Sequence, residues 1–419
     1  MKRKMLVLIL VIALIKIGLV ACATNEIESQ VETESRDMSE DGGQGLMGSE
    51  IIAGAEDEEL YEESCESFER GNVADITMIT TGNAHTLALR SDGTVWAWGA
   101  QTLFEDGSHT TWQSLVPEQV EGLINITSIS TRWGHNVALK NDGTVWAWGN
   151  NDWGQLGDGT TTVRRTPVQV HNLIDIVEIS AGNSHTVALR DDGTVWAWGD
   201  NTHGELGDGT TIERYIPVQV RGLTNVAAIS AGGARTTALK SDGTVWAWGN
   251  NGFGGLGDGT TTNRYTPVQV QGLTNVTAIS SNLALKEDGT VWAWGDNIHG
   301  GLGDGTTTER HIPVQVQGLT NVIAISGGSS CPIALRSDGT VWVWGSNISG
   351  LIGSGNTTHP QTTPVQVQGL MDVIGISAGS GFKIAIRNDG TVWAWGLNNA
   401  GQLGDGTTVD QPTPVQIQN

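Results

Sequence analysis

A repeat of about 50 residues constrains the fold of this chain more than any other feature, because periods of this size are typical of propellers and solenoids. The run DGTVWAWG begins at Asp92, Asp142, Asp192, Asp242, Asp288 and Asp389, and the near-copy DGTVWVWG begins at Asp338. Successive copies start 50, 50, 50, 46, 50 and 51 residues apart. The seven copies fill residues 71–419 and leave no room there for a second folded domain.

Each copy predicts four short strands. An apolar strand such as Val226 to Ser230 is followed by a Gly turn, a second strand such as Thr236 to Lys240, Asp-Gly, and then TVWAWG. A long polar loop and PVQV complete the copy. Asp-Gly between two apolar runs supplies the positive φ that a tight hairpin turn needs. Alternation along TVWAWG puts Trp246 and Trp248 on one face of the strand and small residues on the other.

Such a two-faced sheet suits a ring of blades, in which the bulky face of one blade fills space against the flat face of its neighbour. Fourteen of the 17 tryptophans lie in these pairs, so we predict that they form the core between blades. An open solenoid would need polar capping repeats, and neither end carries one. We therefore predict an all-β, seven-bladed β-propeller of four-stranded antiparallel blades. Ring closure either pairs the last PVQI strand with the first blade or leaves each blade equal to one repeat.

The first 21 residues predict an export signal. Three basic residues at positions 2–4 precede an apolar stretch from Met5 to Val20, which Lys16 interrupts and which ends in LVAC at Cys22. These features are typical of a secretory signal rather than of a spanning helix. The segment resembles a bacterial lipoprotein signal, which implies lipidation of Cys22, cleavage before it and anchoring in the cell envelope. The alternatives are an ordinary signal peptide, with a secreted product, or an uncleaved anchor helix.

Residues 22–70 are predicted to form a disordered acidic tether. Ala23 to Arg70 hold sixteen Asp or Glu against two basic residues. Such a segment buries too little apolar surface to offset its ordering entropy, although binding of a basic protein or a cation is an alternative role. Of the formal charge of −23, residues 1–21 contribute +4, the tether −14 and residues 71–419 −13. Because nucleic-acid binding needs a basic groove, we expect no nucleic-acid partner.

The sequence carries no residue set that predicts catalysis. It has no HExxH, paired CxxC, Walker-type or GxSxG motif, so we predict no enzyme activity, catalytic residue, metal site or cofactor. One position, which follows G-x-x in most copies, is occupied in turn by His85, His135, His185, Arg235, Cys331 and Phe382. This mixture argues against a ring of ligands and favours imidazoles that satisfy buried backbone. The repeated LGDGTT predicts an Asp-Gly turn rather than a calcium loop.

Two further cysteines, Cys65 and Cys331, could pair in an oxidising compartment. Nothing in the sequence brings them together, and we predict that both are free.

The repeat GxxHTxALxxDGTVWAWGxNxxGxLGDG, intact from Gly182 to Gly209, resembles the repeat of the regulator of chromosome condensation family. The resemblance implies a seven-bladed propeller, which the copy number predicts independently. The eukaryotic namesake exchanges nucleotide on a small nuclear GTPase, an activity that we do not expect of an exported lipoprotein. The scaffold is also similar to that of the propeller-type β-lactamase inhibitor protein, which binds its target with loops at one end of the ring. Fold alone does not fix function, so the loops must be compared.

The long loop between TVWAWG and PVQV distinguishes the copies. One position carries Trp153, His203, Phe253 and His299 in copies two to five, but Ser349 and Ala400 in the last two. A later position carries Arg164, Arg214, Arg264 and Arg310 in the same four copies, followed directly by Arg165, Tyr215, Tyr265 and His311. In the first copy Phe104 and Trp112 either extend this set or mark the ring closure.

We name the twelve residues of copies two to five the arc, since loops of one type should lie at one end of four consecutive blades. Aromatic residues and Arg are typical of binding hot spots, and we predict a basic, aromatic partner-binding surface. The alternative is that these side chains pack against neighbouring loops, with Arg stacked on Tyr.

We predict a monomeric, non-catalytic binding scaffold of the cell envelope, whose partner is an envelope or extracellular protein bound through the arc. A carbohydrate-binding surface module is the alternative, because exposed aromatic rings beside polar groups also suit sugars. An inhibitor of a secreted enzyme and, by family analogy, a regulator of nucleotide-exchange type are further alternatives. An enzyme that acts in the central channel is another, but the absence of a converging acid/base or metal set argues against it. Contact with the membrane is expected through the lipid anchor only.

Overall fold

A computed structural model describes residues 75–100, 113–355 and 358–417, which form seven four-stranded antiparallel sheets. Each sheet consists of four consecutive strands, and the sheets are numbered here as blades one to seven in chain order. The strands of blades one to four are β1 (Ile76–Thr81), β2 (His85–Arg90), β3 (Val95–Ala100), β4 (Gln113–Gln119), β5 (Ile126–Thr131), β6 (His135–Lys140), β7 (Val145–Gly149), β8 (Arg164–Gln169), β9 (Ile176–Ala181), β10 (His185–Arg190), β11 (Val195–Gly199), β12 (Arg214–Gln219), β13 (Val226–Ala231), β14 (Arg235–Lys240), β15 (Val245–Gly249) and β16 (Arg264–Gln269). Those of blades five to seven are β17 (Val276–Ser280), β18 (Leu283–Lys286), β19 (Val291–Gly295), β20 (Arg310–Gln315), β21 (Val322–Ser326), β22 (Ile333–Arg336), β23 (Val341–Gly345), β24 (Gln361–Gln366), β25 (Val373–Ala378), β26 (Phe382–Arg387), β27 (Val392–Gly396) and β28 (Gln411–Gln416). The predicted all-β propeller of seven four-stranded blades is confirmed.

The Asp-Gly hairpin between the second and third strands forms as predicted. In blade four, Asp242 Oδ1 accepts hydrogen bonds from the backbone N and the Oγ1 of Thr244, at 3.0 and 2.6 Å. Gly243 takes a φ of 77°, a conformation that costs glycine little because it has no Cβ. The same Asp–Thr contact recurs in all seven blades.

Tryptophan fills the space between blades. The second Trp of each pair is buried, namely Trp98, Trp148, Trp198, Trp248, Trp294, Trp344 and Trp395. Trp248 packs against Val195 and Ala197 of blade three, so the bulky face of each blade covers the flat face of the preceding one. The first Trp of each pair is only half-buried, as at Trp146, whose ring centroid lies 4.0 Å from Lys140 Nζ. The predicted inter-blade core is thus confirmed for the second Trp and in part for the first.

The first strand of every blade lies innermost, where it contacts the first strands of the neighbouring blades around a central channel. Five serine Oγ atoms in these strands accept a backbone N–H from the next blade at 2.8–3.1 Å, namely those of Ser130, Ser180, Ser230, Ser280 and Ser326. Thr80 Oγ1 does the same in blade one, at 3.4 Å from Thr131 N. The Ser or Thr hydroxyl at this position therefore links each of blades one to six to the next blade.

The ring closes through side chains. Trp98 and Ala88 of blade one pack in one cluster with Ile384 of blade seven. Ser377 Oγ lies 2.9 Å from Thr81 Oγ1. Of the two closures that the sequence allowed, the structure has the one in which each blade is one repeat.

The described part of the chain contains no α-helix, only 3-10 turns at Gly252–Gly254 and Ile348–Gly350. No helix in these ranges is long and apolar enough to cross a membrane. Cys331 is buried and free, as predicted. The predicted signal peptide, its Cys22, the tether and Cys65 lie outside the described residues, as do Phe104 and Trp112.

Candidate partner-binding face

The antiparallel order of the strands places every long loop at one end of the ring. The turns between first and second strands lie at this same end, here named the loop end. The Asp-Gly turns and the connections between blades lie at the opposite end, named the turn end. The structure therefore brings the twelve arc residues to the loop end of blades two to five, as the sequence predicts.

A buried asparagine organises the long loops of blades two to seven. In blade two, Asn151 Nδ2 donates to the carbonyl oxygens of Thr160 and Thr162 at 3.0 and 3.1 Å, and its Oδ1 accepts the backbone N–H of Leu156 at 2.9 Å. The same side chain also contacts Asp158. Asn201, Asn251, Asn297 and Asn398 repeat the contact with the loop Asp. The loop is thus cross-linked from within.

The first arginine of each arc pair belongs to this internal network. Arg164 Nη2 lies 2.7 Å from Asp158 Oδ2, and Arg214, Arg264 and Arg310 pair with their loop Asp at 2.7–2.8 Å. Partial burial would raise the pKa of Asp158, but the hydrogen bonds from Thr160 and Arg164 outweigh it, and the pKa lies below its usual value. The aspartate side chains are only 6–8% exposed, so the four arginines stabilise the loops themselves.

These pairs change the expected electrostatics of the arc. Each of the four arginines is balanced by an aspartate, and Arg165 is the arc's only remaining arginine. Two arc side chains also face glutamates: the Tyr215 hydroxyl donates to Glu213 at 3.1 Å, and His311 Nε2 lies 3.0 Å from Glu309. The surface is aromatic, as predicted, but it is not basic.

The arc pairs lie at the start of the outer strands of blades two to five: the first residue of each pair begins the strand, and the second residue follows it within the strand. Three of these second residues lie against a glycine in the long loop of the preceding blade: Tyr215 against Gly154, Tyr265 against Gly204 and His311 against Gly254. Since these glycines directly follow Trp153, His203 and Phe253, the structure brings each loop aromatic next to an aromatic residue of the following blade. His299 instead meets His359 of blade six, with ring centroids 5.6 Å apart.

Several arc side chains remain open to solvent despite these contacts. Phe253 is 52% exposed, Tyr265 46% and Tyr215 41%. Trp153, His203, His299 and His311 are half-buried. Four isoleucines that sequence comparison did not single out are also exposed on blades three and five: Ile212, Ile216, Ile298 and Ile312. Only the polar residues next to them in the sequence could have indicated that these isoleucines are exposed.

The following blade holds each long loop from outside. The carbonyl oxygen of Gln155 accepts hydrogen bonds from Trp198 Nε1 at 2.9 Å and from Thr186 Oγ1 at 2.7 Å. Glu205 O receives the equivalent pair from blade four. The repeated histidines extend this clamp, because His135 Nε2 lies 3.0 Å from Thr186 Oγ1. Their role is structural, but they contact side chains of the next blade rather than the backbone that we expected. Burial lowers the pKa of His135 to about 3.

No group of three or more His, Cys, Asp or Glu side chains that could hold a metal ion occurs within residues 75–100, 113–355 and 358–417. The loop Asp is occupied by Thr, Asn and Arg donors, so it forms the predicted turn.

Among solved structures, the chain is similar to human WBSCR16, with 22% identity, a TM-score of 0.68, and coverage of 78% of this chain and 94% of that one. It is also similar to Prp20p from Saccharomyces cerevisiae, with 21% identity, a TM-score of 0.66, and coverage of 80% and 88%. That structure was described together with the binding of Prp20p to Gsp1p and histones. At these identities the likeness shows the fold alone.

A curated relative, the human E3 ubiquitin-protein ligase HERC2, is 53% identical over 47 residues, which are 11% of this chain and 1% of that protein. Residues 42–281, more than half of the chain, match the RCC1-like domain. Residues 288–335, 338–386 and 389–419 match the regulator of chromosome condensation (RCC1) repeat. Seven blades of one repeat each and these matches agree: the chain belongs to the regulator of chromosome condensation (RCC1) repeat family.

Proposed function

We propose that this propeller is a non-catalytic binding scaffold of the cell envelope, which binds a protein partner through the exposed arc residues at its loop end. The observation that carries the proposal is the row of exposed aromatic residues on loops that are held rigidly from within and from the next blade. Binding then orders few side chains or loops, which lowers the entropic cost of association. RCC1-like propellers are mostly binding or regulatory proteins, which agrees with this role.

The composition of the exposed surface favours a protein over a glycan. Sugar rings stack on aromatic faces, which Tyr215, Phe253 and Tyr265 offer, but they gain little from branched aliphatic side chains. Ile216 and Ile312 directly follow Tyr215 and His311 and are 44% and 50% exposed. Contiguous exposed apolar side chains with a polar rim are typical of protein–protein interfaces.

The envelope location rests on the sequence of the first 22 residues. A basic start, an apolar run and LVAC support export and lipidation of Cys22. The acidic residues of 23–70 would keep the propeller away from an anionic membrane surface, which leaves the loop end free for a partner.

Capture from an envelope extract tests the binding face. The bait is the full chain in detergent, beside a variant with Tyr215→Ala, Phe253→Ala and Tyr265→Ala. The matched control carries Ile124→Ser, Ile174→Ser and Met371→Ser, which are 63%, 55% and 51% exposed at the turn end. All three baits must melt alike before capture.

We expect a protein that the parent and the turn-end control retain and that the arc variant loses. Equal retention by the parent and the arc variant would refute the arc as the binding face. Retention that soluble glycans abolish, without a captured protein, would establish the carbohydrate-binding alternative instead.

A further inference from the structure

The shortened fifth repeat opens a gap at the loop end. The β17–β18 hairpin turns through Ser281 and Asn282 alone, whereas the second strand of blade four begins two residues earlier in register, at Arg235. The last two residues of β19, Trp294 and Gly295, therefore have no residue opposite them on β18, and the backbone of Trp294 bonds instead to the turn residue Asn282. The fifth repeat is four residues shorter than its neighbours, and all four are absent from the turn between its first and second strands, which lies at the loop end.

Two glycines widen the gap. The loop residue whose carbonyl oxygen accepts the hydrogen bond of the next blade's tryptophan is large and buried in blades two, three and six, namely Gln155, Glu205 and Leu351. Blades four and five have Gly255 and Gly301 there. A pocket of about 360 Å³ results, and its lining includes Arg132, Arg235 and Phe253.

Arg235 enters this pocket from the position that histidine occupies in blades one to three. Its guanidinium lies against Gly255, where a Cβ would come within 2.1 Å of Nη1. Nη1 donates to Gly255 O at 3.4 Å, and the buried Nε has no acceptor among the residues of known position. The Arg235 side chain therefore fits only because residue 255 is a glycine. Its Nε–H remains available as a donor.

Arg132 lines the same pocket and donates to Asn183 Oδ1 at 3.2 Å. Within the described ranges, neither Arg132 nor Arg235 forms an ion pair. Burial lowers the pKa of Arg132, with a contribution from the charge of Arg235, to about 10, so its guanidinium stays charged at neutral pH. Asp296 also lines the pocket and favours the charged form of Arg235, but one carboxylate does not balance two guanidinium groups.

Phe253 completes the pocket in a strained conformation. Its φ of 57° and ψ of 22° lie in the left-handed region, which bulky residues rarely adopt, and its side chain is 52% exposed. Burial of the ring therefore does not compensate the strain. Such residues cluster at ligand-binding sites, where the strain positions a contact. Together with the exposed Ile298, Phe253 gives the pocket an apolar side.

We propose that this pocket binds a carboxylate-bearing group with an apolar body, held by Arg132 and Arg235 at the carboxylate and by Phe253 and Ile298 at the body. Guanidinium groups match the geometry of a carboxylate and form strong charge-assisted hydrogen bonds with it. Asp296 disfavours a dianion such as phosphate, because a second negative charge would face its carboxylate. The volume is that of a small-molecule site. The ligand is either a free carboxylate or the C-terminal carboxylate of a protein.

Titration calorimetry on the full chain tests the proposal with two probes: phenylacetate for a free carboxylate, and acetyl-Ala-Phe with a free terminus for a protein. Phenylacetamide and the amidated peptide are the neutral controls. The pocket variant is Arg235→His with Gly255→Gln, which restores the residue pair of blade two and should fold. Arg221→Gln, which changes an exposed arginine outside the pocket, is the matched loss of one arginine.

We expect saturable binding of at least one probe, with the tighter one identifying the source, and binding about tenfold or more weaker in the pocket variant. Arg221→Gln should bind as the parent does. The proposal is overturned if neither carboxylate binds, if the amides bind equally well, or if the pocket variant binds as tightly as the parent. Phe253 belongs to both the pocket and the arc, but failure of this proposal is distinguishable from failure of the arc proposal, because these probes require no protein partner.

Discussion

At the scale of single residues, the long loops depend on an Asn–Asp–Arg network whose members vary together within the chain. Blade six has Ser354 and Gln361 in place of both the Asp and the Arg. Blade seven keeps Asp405, and Gln411 Nε2 donates to it at 3.1 Å in place of a guanidinium. Arginine therefore occurs only where aspartate is present, as expected for a residue whose charge is balanced inside the loop.

Asp258→Ser should lower the free energy of unfolding by about 2 kcal/mol, because it removes an acceptor for Thr260, Asn251 and Arg264 at once. Arg264→Gln should cost about 1 kcal/mol or less, since glutamine can still donate to Asp258. The double variant, which copies blade six, should cost less than the sum of the two. Denaturant unfolding of all four proteins measures the coupling. Strict additivity would contradict a shared network.

Acid should destabilise the propeller through its buried histidines. Burial lowers the pKa of His85 and His185 to about 4 and that of His135 to about 3, from 6.5. A lowered folded-state pKa gives stability that is present above pH 6.5 and lost as the pH falls toward 4. Each histidine should contribute a loss of about 2 kcal/mol between pH 7 and pH 4.5.

The comparison is between the parent and His135→Gln/His185→Gln, with melting temperatures measured from pH 7 to pH 4.5. The variant should lose less stability over this range. Glu178 acts in the opposite direction, since burial raises its pKa to about 8, but it is present in both proteins and cancels. An identical pH profile for the two proteins would show that the histidines do not govern acid sensitivity.

At the scale of elements, the features that follow from local pattern were predictable from sequence. Four strands per repeat, the Asp-Gly hairpins and the alternation of Trp246 and Trp248 each depend on a few neighbouring residues. The Asp258–Arg264 pair was not predicted, because a contact within an irregular loop has no period. The pocket was missed for another reason. It forms only because the shortened hairpin of blade five lies next to Gly255 and Arg235 of blade four, and the sequence does not show that these segments are neighbours in space.

Restoring the short hairpin gives a test of how that element shapes the loop end. Replacement of Ser281-Asn282 by Ala-Gly-Gly-Ala-His-Thr should extend β17 and β18, exchange the contacts between Asn282 and Trp294 for ladder hydrogen bonds, and supply a partner for Gly295. We expect a gain in the free energy of unfolding of about 1–3 kcal/mol from the added ladder hydrogen bonds. The same insertion should fill the pocket and abolish phenylacetate binding. Unchanged stability with retained binding would show that the gap does not arise from the hairpin.

At the scale of the whole molecule, the ring consists of seven similar interfaces between neighbouring blades. The chain connects the two blades at six of them, and blades seven and one, the last and the first in the chain, have no connecting segment. Each blade contacts the next through a buried tryptophan and a channel hydroxyl, and at the closure between blades seven and one the hydroxyl of Ser377 contacts that of Thr81 instead of a backbone N–H. Ile417 and Ile76 share the cluster at this closure, and both lie at the turn end. The equivalent positions in blades four and five, Val270 and Val276, are joined by five residues. A connecting segment should therefore be able to join blades seven and one, and the chain should tolerate a cut between two other blades.

A circular permutant tests this equivalence. Ile417 is joined to Asp75 by Gln-Gly-Leu-Thr, copied from the blade four connection, and the chain is opened between the exposed Gln368 and Gly369. No strand is divided and every interface between blades is retained. We therefore expect a melting temperature within about 3 °C of the parent.

A second permutant, opened inside blade four between Ser241 and Asp242, should melt clearly lower because it cuts the hairpin that Thr244 and Asp242 cap. If both permutants melted alike, the blade would not be the cooperative unit of the ring.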